Sequence, residues 1–203
     1  AGIISPDGRY LVTNNLDGVV DLIEIETMEV LQRFEGNPEW LLATFFIPPD
    51  GSKLLLKSSN WNGNTDGNLF VVYDIETGEE ILRLDGQNDY NVYTVAISPD
   101  GRLLLTGSLQ WVTSEHGDGD LILWDLETGQ VIRVLQDTEC VVGVDFNNDG
   151  TQAITCCGLL DADATGTGRV TLWDVETGQM IKHIEHDATN LWRVKFGPDN
   201  TYI

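Results

Sequence analysis

Two stretches of the sequence carry side chains that could bind a divalent cation. Residues 145–150 read Asp-Phe-Asn-Asn-Asp-Gly and match the opening of an EF-hand calcium loop. Such a loop needs a bidentate glutamate at its twelfth position, and that position is Cys156 here. A denser group of carboxylate and imidazole ligands lies in a glycine-rich stretch and comprises Glu115, His116, Asp118 and Asp120. Because the first stretch lacks the terminal ligand and no spacing rule selects the second, the sequence predicts neither a metal site nor a cofactor.

The histidines offer no catalytic arrangement. His183 falls in a predicted strand and His186 in a predicted loop, whereas His116 lies beside Ser114 and Glu115 in the glycine-rich stretch. A catalytic triad needs a nucleophile and a base that a third group orients, and nothing in the sequence marks these residues for such roles. We therefore expect no catalytic activity. A metal-dependent or enzymatic site around His116 is the alternative.

The cysteines indicate a reducing compartment. The chain has 3 of them, which is an odd number and too few for a disulfide framework. Cys156 and Cys157 follow one another in a predicted strand, where small buried residues are expected. A disulfide between Cys140 and Cys157 is compatible with their positions but is disfavoured in such a compartment. The sequence thus predicts a cytoplasmic protein.

The charge argues against two classes of partner. The chain has 203 residues, of which 33 are acidic and 11 basic, so its formal net charge is −22. Binding to a nucleic-acid backbone or to an anionic membrane surface needs concentrated basic side chains, so neither is expected. Hydrophobic residues make up 41% of the chain, which is enough for a folded core. No apolar run reaches the ~20 residues of a membrane helix, and the stretch after Ala1 does not resemble a secretory leader.

Two short turn motifs recur along the whole chain and interleave. The aspartates of the first, of the Pro-Asp-Gly kind, step by 43, 50, 49 and 50 residues and are Asp7, Asp50, Asp100, Asp149 and Asp199. The threonines of the second, of the Glu-Thr-Gly kind, step by 50, 51 and 49 residues and are Thr27, Thr77, Thr128 and Thr177. Two periods that agree over the full length indicate an internal repeat of about 50 residues.

Each repeat is predicted to form one four-stranded antiparallel sheet. Short runs rich in Val, Ile, Leu, Phe and Tyr flank the turns and are bounded by Gly, Asp and Pro. The Pro-Asp-Gly turn joins the first strand to the second, and the Glu-Thr-Gly turn joins the third to the fourth. Radially repeated sheets of this kind form a β-propeller, so the predicted fold is all-β. The repeat units are approximately residues 1–36, 37–86, 87–137, 138–187 and a partial 188–203.

The end of the third strand links the chain to a known family. It reads Leu-Trp-Asp at residues 123–125 and 172–174, and Val-Tyr-Asp at residues 72–74. Together with the Ser-Pro-Asp-Gly turn at residues 98–101, this pattern resembles the WD-repeat β-propeller family over essentially the whole chain. The resemblance implies a scaffold for protein interaction, in a ring of commonly about seven blades. The residues to which it gives structural roles are Tyr73, Asp74, Trp124, Asp125, Trp173 and Asp174.

The chain departs from the family pattern in its polar network. The family usually has Gly-His between the fourth strand and the next sheet, and only His186 is a candidate for that histidine here. The aspartate that the histidine contacts is present as Asp17 and Asp118 but is replaced by Thr167 in the fourth repeat. The resemblance therefore implies incomplete networks and sheets that depend more on apolar packing.

Extra residues accumulate at one edge of the predicted sheets. Compared with the first repeat, the next three have seven or eight more residues between the second and third strands, at about residues 58–68, 109–120 and 158–169. We call this edge, which also holds the connections from each fourth strand to the next sheet, the loop edge. The opposite edge, formed by the two turn motifs, is the turn edge. The loop edge has fourteen acidic residues and one base, Arg169. Its negative potential favours cationic partners, although acidic loops can also serve only to keep a repeat protein soluble.

Large apolar side chains recur at the loop edge. Trp61, Trp111 and Leu160 lie at equivalent positions, 12 or 13 residues before the aromatic residue of the third strand. Aromatic residues are typical of binding hot spots, but regular recurrence is also typical of side chains that pin a loop to its neighbour. The predicted partner-binding residues are Trp40, Trp61, Asp66, Tyr90, Trp111, Glu115, His116, Asp118, Asp120, Leu160, Asp161, Asp163 and Trp192.

These patterns predict a non-catalytic scaffold that binds a protein or peptide, with Lys/Arg-rich segments as the expected ligand. A structural or sensor array joined to a signalling effector domain is a further alternative. Because the sequence spans four repeats and the corner of a fifth, we expect a fragment of a longer protein with more blades or an effector domain. A four-bladed ring and an oligomer that completes the ring are the rivals.

Overall fold

In the residues that it describes, the computed structural model of the chain has sixteen β-strands in four antiparallel sheets. It describes residues 2–15, 19–34, 40–48, 50–60, 69–85, 91–109, 119–135, 141–157, 168–186, 191–197 and 199–200. Within these residues the chain forms strands, turns and bends but no helix, so the all-β prediction is confirmed. No segment of the described chain is a helix of the length and hydropathy that crossing a membrane requires.

The chain divides into two compact units, Ala1–Asp89 and Tyr90–Ile203. The first unit holds two sheets, and each follows the chain order of its strands. One sheet consists of β1 (Gly2–Ile4), β2 (Tyr10–Asn14), β3 (Val20–Glu24) and β4 (Val30–Phe34). The other consists of β5 (Trp40–Phe46), β6 (Lys53–Asn60), β7 (Leu69–Asp74) and β8 (Glu80–Asp85).

The second unit repeats this arrangement with two more sheets in chain order. One consists of β9 (Asn91–Ile97), β10 (Leu103–Leu109), β11 (Leu121–Asp125) and β12 (Val131–Leu135). The other consists of β13 (Gly143–Phe146), β14 (Gln152–Cys157), β15 (Gly168–Asp174) and β16 (Met180–His186). Residues 191–197 begin the fifth repeat and lie beside β13, where Lys195 Nζ is 2.9 Å from Asp145 Oδ1.

The second strand of the second sheet is longer than predicted. We expected the inserted loop to begin near Ser58, but β6 continues to Asn60 because residues 58–60 pair with the start of β5. Its partners are Trp40, Leu41 and Leu42. The first extra residues of this repeat therefore extend a hairpin.

The core of the first unit lies between its two sheets. Val12 and Leu22, from β2 and β3, are fully buried in one cluster with Leu54 of β6. Burying a side chain of this size contributes roughly 1.5–3 kcal/mol. The ring of Phe34, at the end of β4, lies 4.5 Å from that of Tyr73 in the neighbouring sheet, measured between centroids. The aromatic residue of a third strand thus packs against the preceding sheet.

The second unit is built in the same way. Its main cluster joins Leu121 and Leu135 of one sheet to Trp173 of the next. A second cluster lies beyond the last sheet, where Ile154 of β14 packs with Val194 of the fifth repeat. The fourth strand lies at one edge of each sheet and has exposed apolar side chains, among them Val30, Ile132 and Ile181.

Each unit has a further contact between its sheets, which we call the clasp. In the first unit the side chain of Gln32, on β4, lies over Gly78; a Cβ added at Gly78 would be 2.8 Å from Gln32 Cδ. In the second unit the side chain of Arg133, on β12, covers Gly178 in the same way and would collide with an added Cβ. Arg133 Nη2 also donates a hydrogen bond of 3.1 Å to the carbonyl oxygen of Glu176. The Glu-Thr-Gly turns therefore receive a side chain of the preceding sheet.

Candidate partner-binding face

The carboxylates of the third strands are engaged in the turns that follow them. Asp174 Oδ1 accepts hydrogen bonds from the hydroxyl and the backbone N–H of Thr177, both at 2.7 Å. These bonds hold the pKa of Asp174 below its usual range, and the bond from the hydroxyl is the largest cause. Asp74 and Asp125 accept bonds from the threonines of their own turns, and the bond from the threonine backbone N–H is the main cause of their lowered pKa values. The aspartate of the Trp-Asp pair thus stabilises a turn.

The Pro-Asp-Gly turns are closed by a second set of internal hydrogen bonds. Ser98 Oγ donates to Asp100 Oδ1 and accepts from the N–H of Leu103 at 2.9 Å. The bond from Ser98 is the main cause of the lowered pKa of Asp100. Asp7 and Asp149 are held likewise by a hydroxyl of their own turns. The carboxylates of these turns are therefore engaged locally.

The stretch that resembles a calcium loop has the same structural role. Asp145 lies near the end of β13, where Oδ1 bonds to Lys195 and Oδ2 accepts the N–H of Phe196 at 2.9 Å. Asp149 bonds to Thr151 within the turn. Among the described residues no group of three or more His, Cys, Asp or Glu side chains is arranged to hold a metal ion. Residues 145–150 are thus a strand end and a turn.

The tryptophans of the third strands lie in the core. Trp124 and Trp173 are 6% and 2% exposed. Each indole Nε1–H donates a 2.9 Å hydrogen bond to the hydroxyl of a threonine in the second strand, Thr106 or Thr155. The second sheet has Tyr73 and Leu56 at the corresponding positions of its strands, so this bond is replaced there by apolar contact. The remaining members of the expected polar network, Asp17, Asp118, Thr167 and the side chain of His186, lie outside the described structure.

Asp120 is the predicted acidic contact that the structure describes. Its N–H donates a 2.7 Å bond to Ser108 Oγ, and its carbonyl oxygen accepts the N–H of Ser108 at 3.0 Å. Ser108 is 5% exposed, so the backbone of Asp120 is anchored to the core at the loop edge. The Asp120 residue itself is half-buried at that edge.

Trp192 is the predicted aromatic contact whose side chain is described. It is 51% exposed at the start of the fifth repeat, next to the half-buried Leu191. Trp40 begins β5, and only its backbone is described. The other predicted contacts lie outside the described residues and comprise Trp61, Asp66, Tyr90, Trp111, Glu115, His116, Asp118, Leu160, Asp161 and Asp163.

The prediction against a disulfide is wrong. Cys157 is disulfide-bonded, whereas Cys156 is a free, buried thiol. Burial raises the pKa of the Cys156 thiol to about 11. The prediction rested on the number of cysteines and the compartment that this number suggests, and neither describes how close two chain segments come.

The sequence analysis also missed a buried lysine. Lys57, on β6, is 7% exposed, and burial lowers its pKa to about 8. The neighbouring repeats have Gly107 and Cys156 at this position of the second strand. A comparison of second strands position by position would have identified a charged residue where the repeat has small ones.

The comparisons with known proteins agree with this architecture. Residues 78–125 match the family model described as "WD domain, G-beta repeat", which confirms the resemblance to the WD-repeat family. The matched stretch runs from the second turn motif of one sheet to the Trp-Asp pair of the next. No curated protein matches the sequence.

Two solved structures share the fold. One is titled "Kuenenia stuttgartiensis Hydrazine Synthase" and is 19% identical, with a TM-score of 0.72, over 98% of this chain and 52% of that chain. The other is titled "Structure of Dos1 propeller" and is 14% identical, with a TM-score of 0.72, over 97% of this chain and 50% of that chain. At these identities the likeness shows a β-propeller fold alone. The chain spans about half the length of each.

Proposed function

We propose that this chain is a non-catalytic interaction scaffold whose loop edge binds a Lys/Arg-rich segment of a protein. The observation that carries the proposal is the contrast between the two edges. Carboxylates of the turn edge are hydrogen-bonded within their own turns, Asp174 and Asp100 being examples. At the loop edge the sequence has fourteen acids and one base, Arg169. A cationic partner gains most where acids are in large excess and few bases compete.

Asp120 and Trp192 are the described residues that support such a surface. The backbone of Asp120 is anchored, so this residue is already ordered at the loop edge before a partner binds. A half-exposed indole such as that of Trp192 can cover the aliphatic part of a lysine or stack on a guanidinium group. The remaining predicted contacts belong to the same proposal.

Other parts of the prediction stand as proposals as well. Because the chain covers about half of each similar structure, further blades or an effector domain in the same polypeptide are part of the proposal. A cytoplasmic location is weakened by the disulfide of Cys157. An enzymatic or metal-dependent site around His116 gains no support from the described residues, and the likeness to hydrazine synthase is one of fold.

The test is a titration of the protein with a fluorescent oligo-arginine peptide, beside an oligo-glutamate peptide, at about 50 and 500 mM salt. We expect oligo-arginine to bind and the affinity to fall steeply with salt. Asp120→Asn should weaken binding about threefold, as expected for one exposed charge pair. Trp192→Ala should weaken it about tenfold.

The matched control is Glu127→Gln, which removes one exposed charge from the turn edge. It should leave the affinity within about twofold of the original, because its distance from the ligand exceeds the screening length at moderate salt. Equal weakening by Asp120→Asn and Glu127→Gln would show that net charge alone drives binding. The loop-edge proposal would then be abandoned, as it would if salt had no effect.

A further inference from the structure

The chain crosses between the two sheets of the second unit just before β13. The N–H of Val141 donates a 3.0 Å bond to the carbonyl oxygen of Ser108, on β10. One residue later, the N–H of Val142 donates a 3.0 Å bond to the carbonyl oxygen of Cys156, on β14. The segment that enters β13 is therefore held at the loop edge by one hydrogen bond to each sheet.

Cys157 directly follows Cys156, whose carbonyl oxygen accepts the second of these hydrogen bonds. It ends β14, is half-buried and is disulfide-bonded. The chain has 3 cysteines, and Cys156 is free. The third, Cys140, precedes Val141 in sequence and lies outside the described residues.

We propose that Cys157 and Cys140 form a redox-controlled clip that fastens the segment entering β13 to the end of β14. In forming it, the two thiols lose two protons and two electrons, and a sulfur–sulfur bond results. The electrons reduce a small disulfide such as oxidised glutathione, whose bond breaks to give two thiols. An external dithiol reverses the reaction and is itself oxidised to a disulfide. The clip closes a loop around the β13–β14 hairpin. Its loss therefore raises the conformational entropy of the unfolded chain more than that of the folded chain, which lowers stability.

Cys156 takes no part in this exchange. Its side chain is 2% exposed, and its Sγ lies 3.9 Å from the carbonyl oxygen of Leu191. It packs in an apolar cluster with Val142, Ile154 and Val194. Because burial raises its pKa to about 11, it remains a thiol at neutral pH, and the thiolate is the form that attacks disulfides. The chain thus contains both the redox couple and an inert cysteine for comparison.

The clip places the protein where thiols are oxidised, such as a periplasm or a secretory compartment. This inference does not depend on the identity of any partner. If the peptide titration showed no binding, the clip proposal would still stand, because its test measures whether the cysteines are thiols or a disulfide.

The experiment measures free thiols in the full chain. The protein is equilibrated in glutathione buffers from fully reduced to mainly oxidised, then denatured, alkylated and weighed intact. In the oxidised buffer we expect one alkylated cysteine, Cys156, and a peptide map that joins Cys140 to Cys157. Cys156→Ala should show no alkylation there. Cys157→Ser should show no internal disulfide, with its Cys140 recovered either alkylated or joined to glutathione. Alanine is tolerable at residue 156 because the equivalent strand position holds Gly107.

Thermal unfolding supplies an independent readout. Reduction should lower the unfolding midpoint of the original chain and of Cys156→Ala by several degrees. It should not change the midpoint of Cys157→Ser, which has no clip to lose. Three alkylated cysteines in the oxidised buffer, a bond that includes Cys156, or an unchanged midpoint on reduction would each overturn the proposal.

Discussion

The clasp between sheets predicts an unusually costly glycine substitution. Gly178 has a φ of +70°, a left-handed conformation that residues with a Cβ adopt at a cost of roughly 1–2 kcal/mol. Its Cβ would also collide with the side chain of Arg133. To relieve the collision, Arg133 must leave the turn and give up its hydrogen bond to Glu176, which is worth about 1.5–3 kcal/mol for a charged donor. We therefore expect Gly178→Ala to destabilise the second unit by about 3 kcal/mol.

Gly150 provides a matched control in the same unit. Its φ is +73°, but the nearest atom to an added Cβ, Pro99 Cδ, lies at an ordinary contact distance of 3.5 Å. Gly150→Ala should therefore cost only the backbone part, about 1 kcal/mol. Arg133→Ala removes the colliding side chain, so in that background Gly178→Ala should also cost about 1 kcal/mol. The expected coupling between residues 133 and 178 is thus about 2 kcal/mol.

Urea unfolding followed by tryptophan fluorescence measures these differences, because Trp173 is buried in the same unit. A difference of 2 kcal/mol corresponds to a shift of about 1 M in the midpoint for a typical slope. If Gly178→Ala and Gly150→Ala cost the same within about 0.5 kcal/mol, the clasp contributes nothing. The same conclusion follows if Arg133→Ala leaves the cost of Gly178→Ala unchanged.

Two further changes probe the strands. Thr155→Val should destabilise the protein by about 1–3 kcal/mol, because it leaves the buried Nε1–H of Trp173 without its acceptor. The control is Thr13→Val, at the equivalent position of a sheet that has Ile23 in place of the tryptophan. It should be nearly neutral in the same urea assay. Lys57→Met should remove a pH dependence of stability. In the original chain burial lowers the folded pKa of Lys57 to about 8, so the free energy of unfolding should rise between about pH 8 and pH 10.5. The gain relative to the variant should be on the order of 3 kcal/mol. Parallel pH profiles of the two proteins would refute the assignment.

The fold was predictable because its signals are local and repeated. A Pro-Asp-Gly or Glu-Thr-Gly turn demands a glycine with positive φ and an oxygen acceptor nearby, and Gly178 and Asp174 meet both demands within five residues. The aromatic residue before that aspartate is large and apolar, so it is expected in the core, where Trp173 lies. Such features depend on neighbours in sequence and recur in each repeat.

The remaining features depend on contacts between sheets, which a repeat pattern does not encode. From its place on an outer strand, Arg133 is expected to be a solvated base. Its Nε is instead buried without a hydrogen-bond partner among the described residues, because the side chain crosses to Gly178. Lys57 lies where its neighbours have Gly107 or Cys156, so its burial follows from the packing of that one position. The disulfide of Cys157 was likewise hidden, since cysteine counts describe composition and not proximity.

The turn edge has a structural role, and the loop edge is the one that we propose for binding. At the turn edge, each aspartate serves a turn, and replacing it costs folding before it can change binding. At the loop edge, two hydrogen bonds to Ser108 anchor the backbone of Asp120. Evolution of a partner site is least constrained where a rigid scaffold presents side chains that the fold does not require. Partner specificity in this protein should therefore vary with the loop edge, while the turn edge keeps its sequence for the sake of the sheets.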